Sequence, residues 1–423
     1  MEKLFQEALK KTSNINIMSE LISKKIFNLP KFFTNKDFRK IFDKIFKVGG
    51  EVALVGGVVR SILLNEDLAN ENLFFDLATN LNSEKLIKIF SDDVKYLEEG
   101  LKHGTVIIKS NNFIFEVTTL RKDMLSTGRY SRVIFQDNWK EDAARRDLTI
   151  NSIYLDLKGN IFDPNDGVRD LMIGKVEFIG NITDRIKEDY LRLLRYVRFF
   201  SKYSKYKIAK NRISILKQYS CKIDRLSKER IIEENRKIFS QPIKNCYIAA
   251  EIMRESNLDI ECYGEKFDLI KLYELKKLNI EINWIHKVAI LLNRIKNFNL
   301  LKNLPVSSLE SKIFENLQIS FTKEEINSLL SNRWQQRVYY LGEDVGIKLL
   351  ISIDLSQRIK KRYYDIINFK TPKFPLNGDD LINIGFKQGK EIGKALNRIE
   401  KKWVNSNFML TKNELLSDIR INA

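Results

Sequence analysis

Along the first part of the chain, short apolar runs are cut by polar and glycine positions at the period of a strand. Val52-Ala53-Leu54-Val55 is an apolar run that ends in Gly56-Gly57, which predicts a strand followed by a turn. Residues 105–109 and 113–118 alternate about Asn111-Asn112 and predict a hairpin. Residues 152–157 and 160–162 form a second such pair around Lys158-Gly159. Beyond about Asp184 the strand signals fade and helical spacing continues to the end, punctuated only by Pro242, Pro305, Pro372 and Pro375. The pattern predicts an α+β fold, a mixed α/β head followed by a long all-α remainder. No internal repeat or low-complexity segment interrupts it.

Composition adds a partner to this outline. The chain has 423 residues, 43% of them hydrophobic, too many for one compact domain. Lys and Arg number 73 against 55 Asp and Glu, a formal net charge of +18. That surplus favours a polyanion, nucleic acid or an anionic membrane surface, although an AT-rich genome also enriches lysine. No apolar run approaches the ~20 residues of a membrane span and the N-terminus has no signal-peptide core, so no membrane partner is expected. Cys221, Cys246 and Cys262 form no CxxC pair, which argues against a disulfide framework or a zinc site. His103 and His286 are the only histidines; His103 sits at the turn into its strand and His286 among apolar residues, and neither is expected to bind a metal. A reducing, cytoplasmic setting is expected.

Four segments carry candidate chemistry. The glycines Gly56 and Gly57, with Arg60 on the helix that follows, could bring backbone N–H groups to a phosphate. Asp76, in Phe74-Phe75-Asp76-Leu77-Ala78-Thr79, is a candidate catalytic residue and metal ligand, and Glu116 a possible further carboxylate. Arg145-Arg146-Asp147, with Asn151 close behind, offers two guanidiniums for phosphates and a carboxylate for a ribose hydroxyl. Arg185, Glu188, Asp189, Arg192, Arg195 and Arg198 are spaced by three and four, as on neighbouring rows of one helix. They form either a salt-bridged solvated face or a rigid template of donors and acceptors for a base edge. Taken singly, each segment also suits a plain structural role: a turn, a cap or a charged surface.

Taken in order, the segments resemble the class II tRNA nucleotidyltransferases (CCA-adding enzymes) and the related bacterial poly(A) polymerases. The resemblance rests on Gly56-Gly57-Val58-Val59-Arg60, Asp76-Leu77-Ala78-Thr79, His103-Gly104-Thr105-Val106 and Glu116-Val117-Thr118-Thr119-Leu120-Arg121. It continues through Glu141-Asp142 to Arg145-Arg146-Asp147, Asp163-Pro164, Glu188-Asp189-Tyr190-Leu191-Arg192, Glu229-Arg230 and Phe374-Pro375-Leu376-Asn377-Gly378. It covers roughly residues 31–423.

The resemblance implies a seahorse-like molecule. A nucleotidyltransferase head with a mixed β-sheet (30–180) would follow an N-terminal extension (1–29) and lead to a neck (181–240), a helical body (241–305) and a helical tail (306–423). It implies Mg²⁺ in a two-metal mechanism, with CTP and ATP as substrates and the acceptor arm of tRNA as partner. Asp189 and Arg192 would select the base, helped by Glu188, Arg195 and Arg198. Gly56, Gly57, Arg60, Arg145, Arg146, Asp147 and Asn151 would hold the rest of the nucleotide. Residues 123–139 would form the loop linked to the switch from C to A addition, and residues 100–105 look more like the CCA-adding branch than the poly(A) branch.

Two positions depart from the pattern. The family strand has Asp-x-Asp where this chain has Phe74-Phe75-Asp76, and Ser61 stands where an Asp usually follows the arginine. Glu66, Asp67 and Glu71 lie upstream, but none is two residues from Asp76. Several readings follow: an active enzyme with a rearranged metal site using Glu116, a catalytically impaired paralogue that binds tRNA and nucleotide, a defect carried by one isolate, or a poly(A) polymerase.

Overall fold

A computed structural model describes residues 22–26, 28–68, 73–91, 94–95, 104–123, 133–135, 138–292, 305–317, 321–342, 345–353, 355–387 and 389–421. The chain forms two compact units, Met1–Ile231 and Ile232–Ala423.

The first unit holds the strands β1 (Ile22–Lys25), β2 (Val52–Val55), β3 (Leu73–Thr79), β4 (Val94–Lys95), β5 (Thr105–Ser110), β6 (Phe113–Thr119), β7 (Arg121–Asp123), β8 (Val133–Phe135), β9 (Tyr154–Leu155) and β10 (Asn160–Phe162). Eight of them make one sheet in the order β1-β10-β9-β2-β3-β6-β5-β4, and β7 pairs with β8 separately. The sheet is mixed as expected, since β3 and β6 run parallel while their other neighbours are antiparallel. The predicted hairpin forms between β5 and β6, with Asn111 in the left-handed region at its turn.

Its buried face follows from period-two alternation. Phe113, Phe115 and Val117 of β6 and Phe75 and Leu77 of β3 point inward and are almost wholly buried. They meet helix α1 (Lys36–Lys47), whose Phe38, Ile41, Phe42 and Ile45 fall at helical spacing and are all fully buried. The Asn35 side chain caps this helix by accepting from the Asp37 and Phe38 N–H groups. The Phe38 ring lies 5.0 Å from that of Phe75 and 5.6 Å from that of Phe115. Truncating Phe38 to alanine would open this cluster at a cost of about 3–5 kcal/mol. The opposite face of β3 and β6 carries Phe74, Asp76, Ile114 and Glu116.

The unit holds further helices besides α1. They are α2 (Gly57–Leu63), α3 (Ser83–Ile89), α4 (Trp139–Ala144), α5 (Gly167–Ile173), α6 (Ile182–Glu188), α7 (Leu191–Tyr203) and α8 (Lys210–Ser220); α9 (Lys228–Phe239) begins near its end. One expectation is corrected by β1. Residues 1–29 stood outside the head in the sequence reading, yet Ile22, Lys24 and Lys25 pair with Phe162, Ile161 and Asn160. A four-residue edge strand bearing two lysines has too short an alternation to stand out.

The described residues of the second unit form helices and their connections, without a strand, as the fading strand signals predicted. One core cluster gathers Leu329, Val338, Val345, Leu349 and Ile366. Another gathers Leu381, Ile392, Ile399, Trp403 and Leu415 with their neighbours. His286 is buried within the helix Trp284–Leu291. No helix among the described residues is long and apolar enough to cross a membrane.

Candidate active site

Asp76 and Glu116 are brought together by strand register. They are directly paired across the parallel β3–β6 ladder, so both side chains leave the sheet on its open face. Across the other edge of β3, Asp76 pairs with Val55, the last residue of β2. This places it beside the turn into α2. Gly56 in that turn has φ +78°, and a Cβ built there would lie 2.8 Å from Asp76 Oδ2. Glycine is therefore required twice, by its backbone conformation and by the carboxylate packed against its Cα. Phe74, two residues before Asp76, shares the face and is 50% exposed, with Ile114 as its register partner. Among the described residues no three His, Cys, Asp or Glu side chains gather as a metal site.

Arg60, reached one turn into α2, is buried rather than open to a ligand. Its guanidinium donates to Asn151 Oδ1, to the Ile150 carbonyl at 3.3 Å and to the Tyr203 hydroxyl at 3.3 Å, and lies over the Phe199 ring. Asn151 in turn donates to Asp147 Oδ1 at 2.8 Å, and Arg195 donates to Asp147 Oδ2 at 2.6 Å. Burial opposes the charged form of Asp147, but the Arg195 and Asn151 contacts outweigh it and hold the carboxyl well below the usual carboxylate range. Asp147 and Asn151, expected to reach the nucleotide, thus form with Arg60 and Arg195 a buried polar chain joining α2 and the 145–151 loop to α7. Arg198 lies over the same Phe199 ring at 4.2 Å.

The arginine pair has a partner that the sequence reading did not single out. Asp142, 1% exposed, accepts from Arg145 Nε at 2.8 Å, from Arg146 Nη2 at 3.1 Å and from the Tyr154 hydroxyl at 2.6 Å. Burial would raise its pKa, but Arg146, Arg145 and Tyr154 outweigh that and lower it to about 2. The signal was present in the chain: Asp142 precedes the two arginines by three and four residues, the helical neighbour spacing. Burial also pushes the Tyr154 phenol well above its ordinary value.

The Arg185–Arg198 cluster corrects a second expectation. It does not lie on one helix: α6 ends at Glu188, Asp189 is extended with φ −154°, and α7 starts at Leu191. Asp189 Oδ1 accepts from the Leu191 N–H at 3.1 Å, a local bond that competes with continued helix. Its Oδ2 pairs with Arg230 at 2.8 Å. Arg192 Nη1 pairs with Glu188 at 2.5 Å and donates to the Arg185 carbonyl, while Nη2 donates to the Arg145 carbonyl at 3.1 Å. Arg185 also pairs with Glu188, at 3.0 Å. The break leaves Asp189 partly exposed at a helix junction, while Arg192 is mostly buried and ties the junction to the arginine pair. His103 lies outside the described residues, as do residues 124–132 and 136–137 of the proposed switch loop and residues 100–103.

Residues 52–177 match the poly A polymerase head domain family. The mitochondrial CCA tRNA nucleotidyltransferase 1 of Danio rerio is 28% identical over 388 residues, covering 87% of each chain. The CCA-adding enzyme of Ligilactobacillus salivarius is 28% identical over 415 residues, 93% of this chain and 97% of the relative. Among solved structures, the Bacillus stearothermophilus CCA-adding enzyme in complex with CTP superposes with a TM-score of 0.67 at 22% identity, over 93% of this chain and 98% of that one. The Thermotoga maritima CCA-adding enzyme complexed with tRNA-CCA gives 0.63 at 20% identity, over 96% and 98%. The solved structures share the fold. The chain carries a poly A polymerase head domain at residues 52–177 and is similar along most of its length to CCA-adding enzymes.

Proposed function

We propose that this chain adds CMP and AMP, from CTP and ATP, to the 3′ end of tRNA without a nucleic-acid template. The observation that carries the reading is the hydrogen bond from Arg192 to the Arg145 carbonyl, which fixes the base-selecting junction to the phosphate-binding arginines. This one hydrogen bond would set the spacing between the groups assigned to the base and those assigned to the triphosphate.

Base choice is assigned to Asp189 and Arg192. Cytosine and adenine both present an exocyclic amine beside a ring-nitrogen acceptor, which suits a carboxylate next to a guanidinium. Uracil and guanine present a carbonyl beside an N–H at the same edge, which would face Arg and Asp with the wrong polarity. Glu188 holds Arg192, and Arg145 and Arg146, fixed by Asp142, are assigned to the triphosphate. Gly56 and Gly57 let the α2 turn pass close to the reacting groups. Arg60, Asp147, Asn151, Arg195 and Arg198 are assigned to keeping the pocket rigid, not to direct contact.

Asp76 and Glu116 fit a hard divalent cation, since Mg²⁺ is commonly held by one or two carboxylates together with water and substrate phosphates. Such an ion supplies charge neutralisation at the triphosphate and lowers the pKa of a bound hydroxyl. The basic helical remainder is assigned to the tRNA acceptor arm through backbone and shape contacts. We place the protein in the cytoplasm, where its three free cysteines stay reduced. The test is incorporation of labelled CMP and AMP into tRNA lacking its terminal CCA; a chain that binds tRNA but transfers neither nucleotide contradicts the reading and favours the impaired paralogue.

A further inference from the structure

The open face of the β3–β6 ladder presents two carboxylates and, at the position two before Asp76, an aromatic ring. We propose that this face holds one divalent cation, between Asp76 and Glu116, and that Phe74 is the residue that keeps a second cation out. The inference rests on the assignment of Asp76 and Glu116 as cation ligands.

Paired cations sit only about 3.5–4 Å apart and need carboxylate oxygens shared between them. One cation needs much less from the protein. Phe74 occupies the place where a third carboxylate would share the face with Asp76, and it offers no oxygen. Its register partner Ile114 offers none either. Glu66, on the connection after α2, accepts a hydrogen bond from the Ser61 hydroxyl at 2.6 Å, an engagement with the preceding helix. No group of three potential ligands assembles among the described residues. The donor set therefore matches one ion.

Phe74 is also a position where the number can be changed without disturbing the core. It is 50% exposed, whereas Phe75 beside it is fully buried among the α1 aromatics. Phe74→Asp would place a third carboxylate on the same strand face as Asp76.

The experiment counts Mn²⁺ bound to the full chain in the absence of nucleotide, by electron paramagnetic resonance of the free ion. Four proteins are compared: the natural chain, Phe74→Asp, Phe74→Leu and Asp76→Asn, each checked by its thermal unfolding. The expected counts are one ion for the natural chain, one for Phe74→Leu, two for Phe74→Asp, and loss of the ion in Asp76→Asn. Two ions on the natural chain, one still on Phe74→Asp, none on the natural chain, or binding that survives Asp76→Asn would each overturn the proposal. The transfer activity is read separately by nucleotide incorporation, so failure of the count and failure of the proposed function are distinguishable.

Discussion

Arg192 donates to the backbone carbonyl of Arg145 across 47 positions of sequence, at 3.1 Å. The contact joins the helix junction assigned to base choice with the loop assigned to phosphates, and Glu188 completes the hold on the same guanidinium. Arg192→Ala should therefore impair selection more than folding. The expected outcome is a loss of about 10–100-fold in preference for CTP and ATP over UTP and GTP, the scale of one good bidentate base contact. Arg192→Lys should not restore it, because an ammonium cannot make the planar fork. Competition between nucleotides in single-turnover incorporation measures both.

Asp76→Asn should remove transfer while leaving the fold intact. The side chain lies on the open sheet face, and asparagine keeps its volume. Loss of a cation ligand costs several kcal/mol of transition-state stabilisation, which is about 10³-fold or more in rate. Single-turnover rates with unchanged thermal unfolding would bear this out.

Gly56→Ala tests the close approach of Asp76. A left-handed φ costs a non-glycine residue about 1–2 kcal/mol, and the new methyl would meet Asp76 Oδ2 at 2.8 Å. The expected result is a modest fall in unfolding free energy with a disproportionate fall in transfer rate, because the carboxylate itself must move. Comparing urea midpoints with incorporation rates separates the two effects.

Asp142 sets an acid limit on stability. Its folded pKa of about 2 lies below the ordinary 3.8, so its contribution is fully present above about pH 4 and is lost as pH falls toward 2. The shift corresponds to about 2 kcal/mol. Asp142→Asn should flatten the stability profile between pH 4 and 2 and should cost about 3–5 kcal/mol at neutral pH, because it leaves two guanidiniums without their buried partner. Urea unfolding at stepped pH provides the measurement.

Much of this was legible in the chain because it is local. The Gly56-Gly57 turn, the hairpin about Asn111-Asn112 and the loss of strand signals after Asp184 are all set by short-range pattern, and each appears in the structure. The pairing of Asp76 with Glu116 was not, because parallel register is fixed by the aromatic packing of Phe75 and Phe115 under α1 rather than by spacing. Helical spacing misled at Asp189, where a side-chain bond to the Leu191 N–H breaks the helix that charge periodicity predicted. Asp142 was visible as a motif residue, but its bond from the Tyr154 hydroxyl was not, because Tyr154 arrives from β9, beyond the reach of helical spacing.

The most direct test of the account is the product ladder on tRNA lacking its terminal CCA. With CTP alone, with ATP alone and with both, products are resolved one nucleotide at a time. The account predicts two additions from CTP, no sustained addition from ATP alone, and three additions, ending in A, from the mixture. Long runs of A from ATP alone, or no extension under any condition, would contradict it.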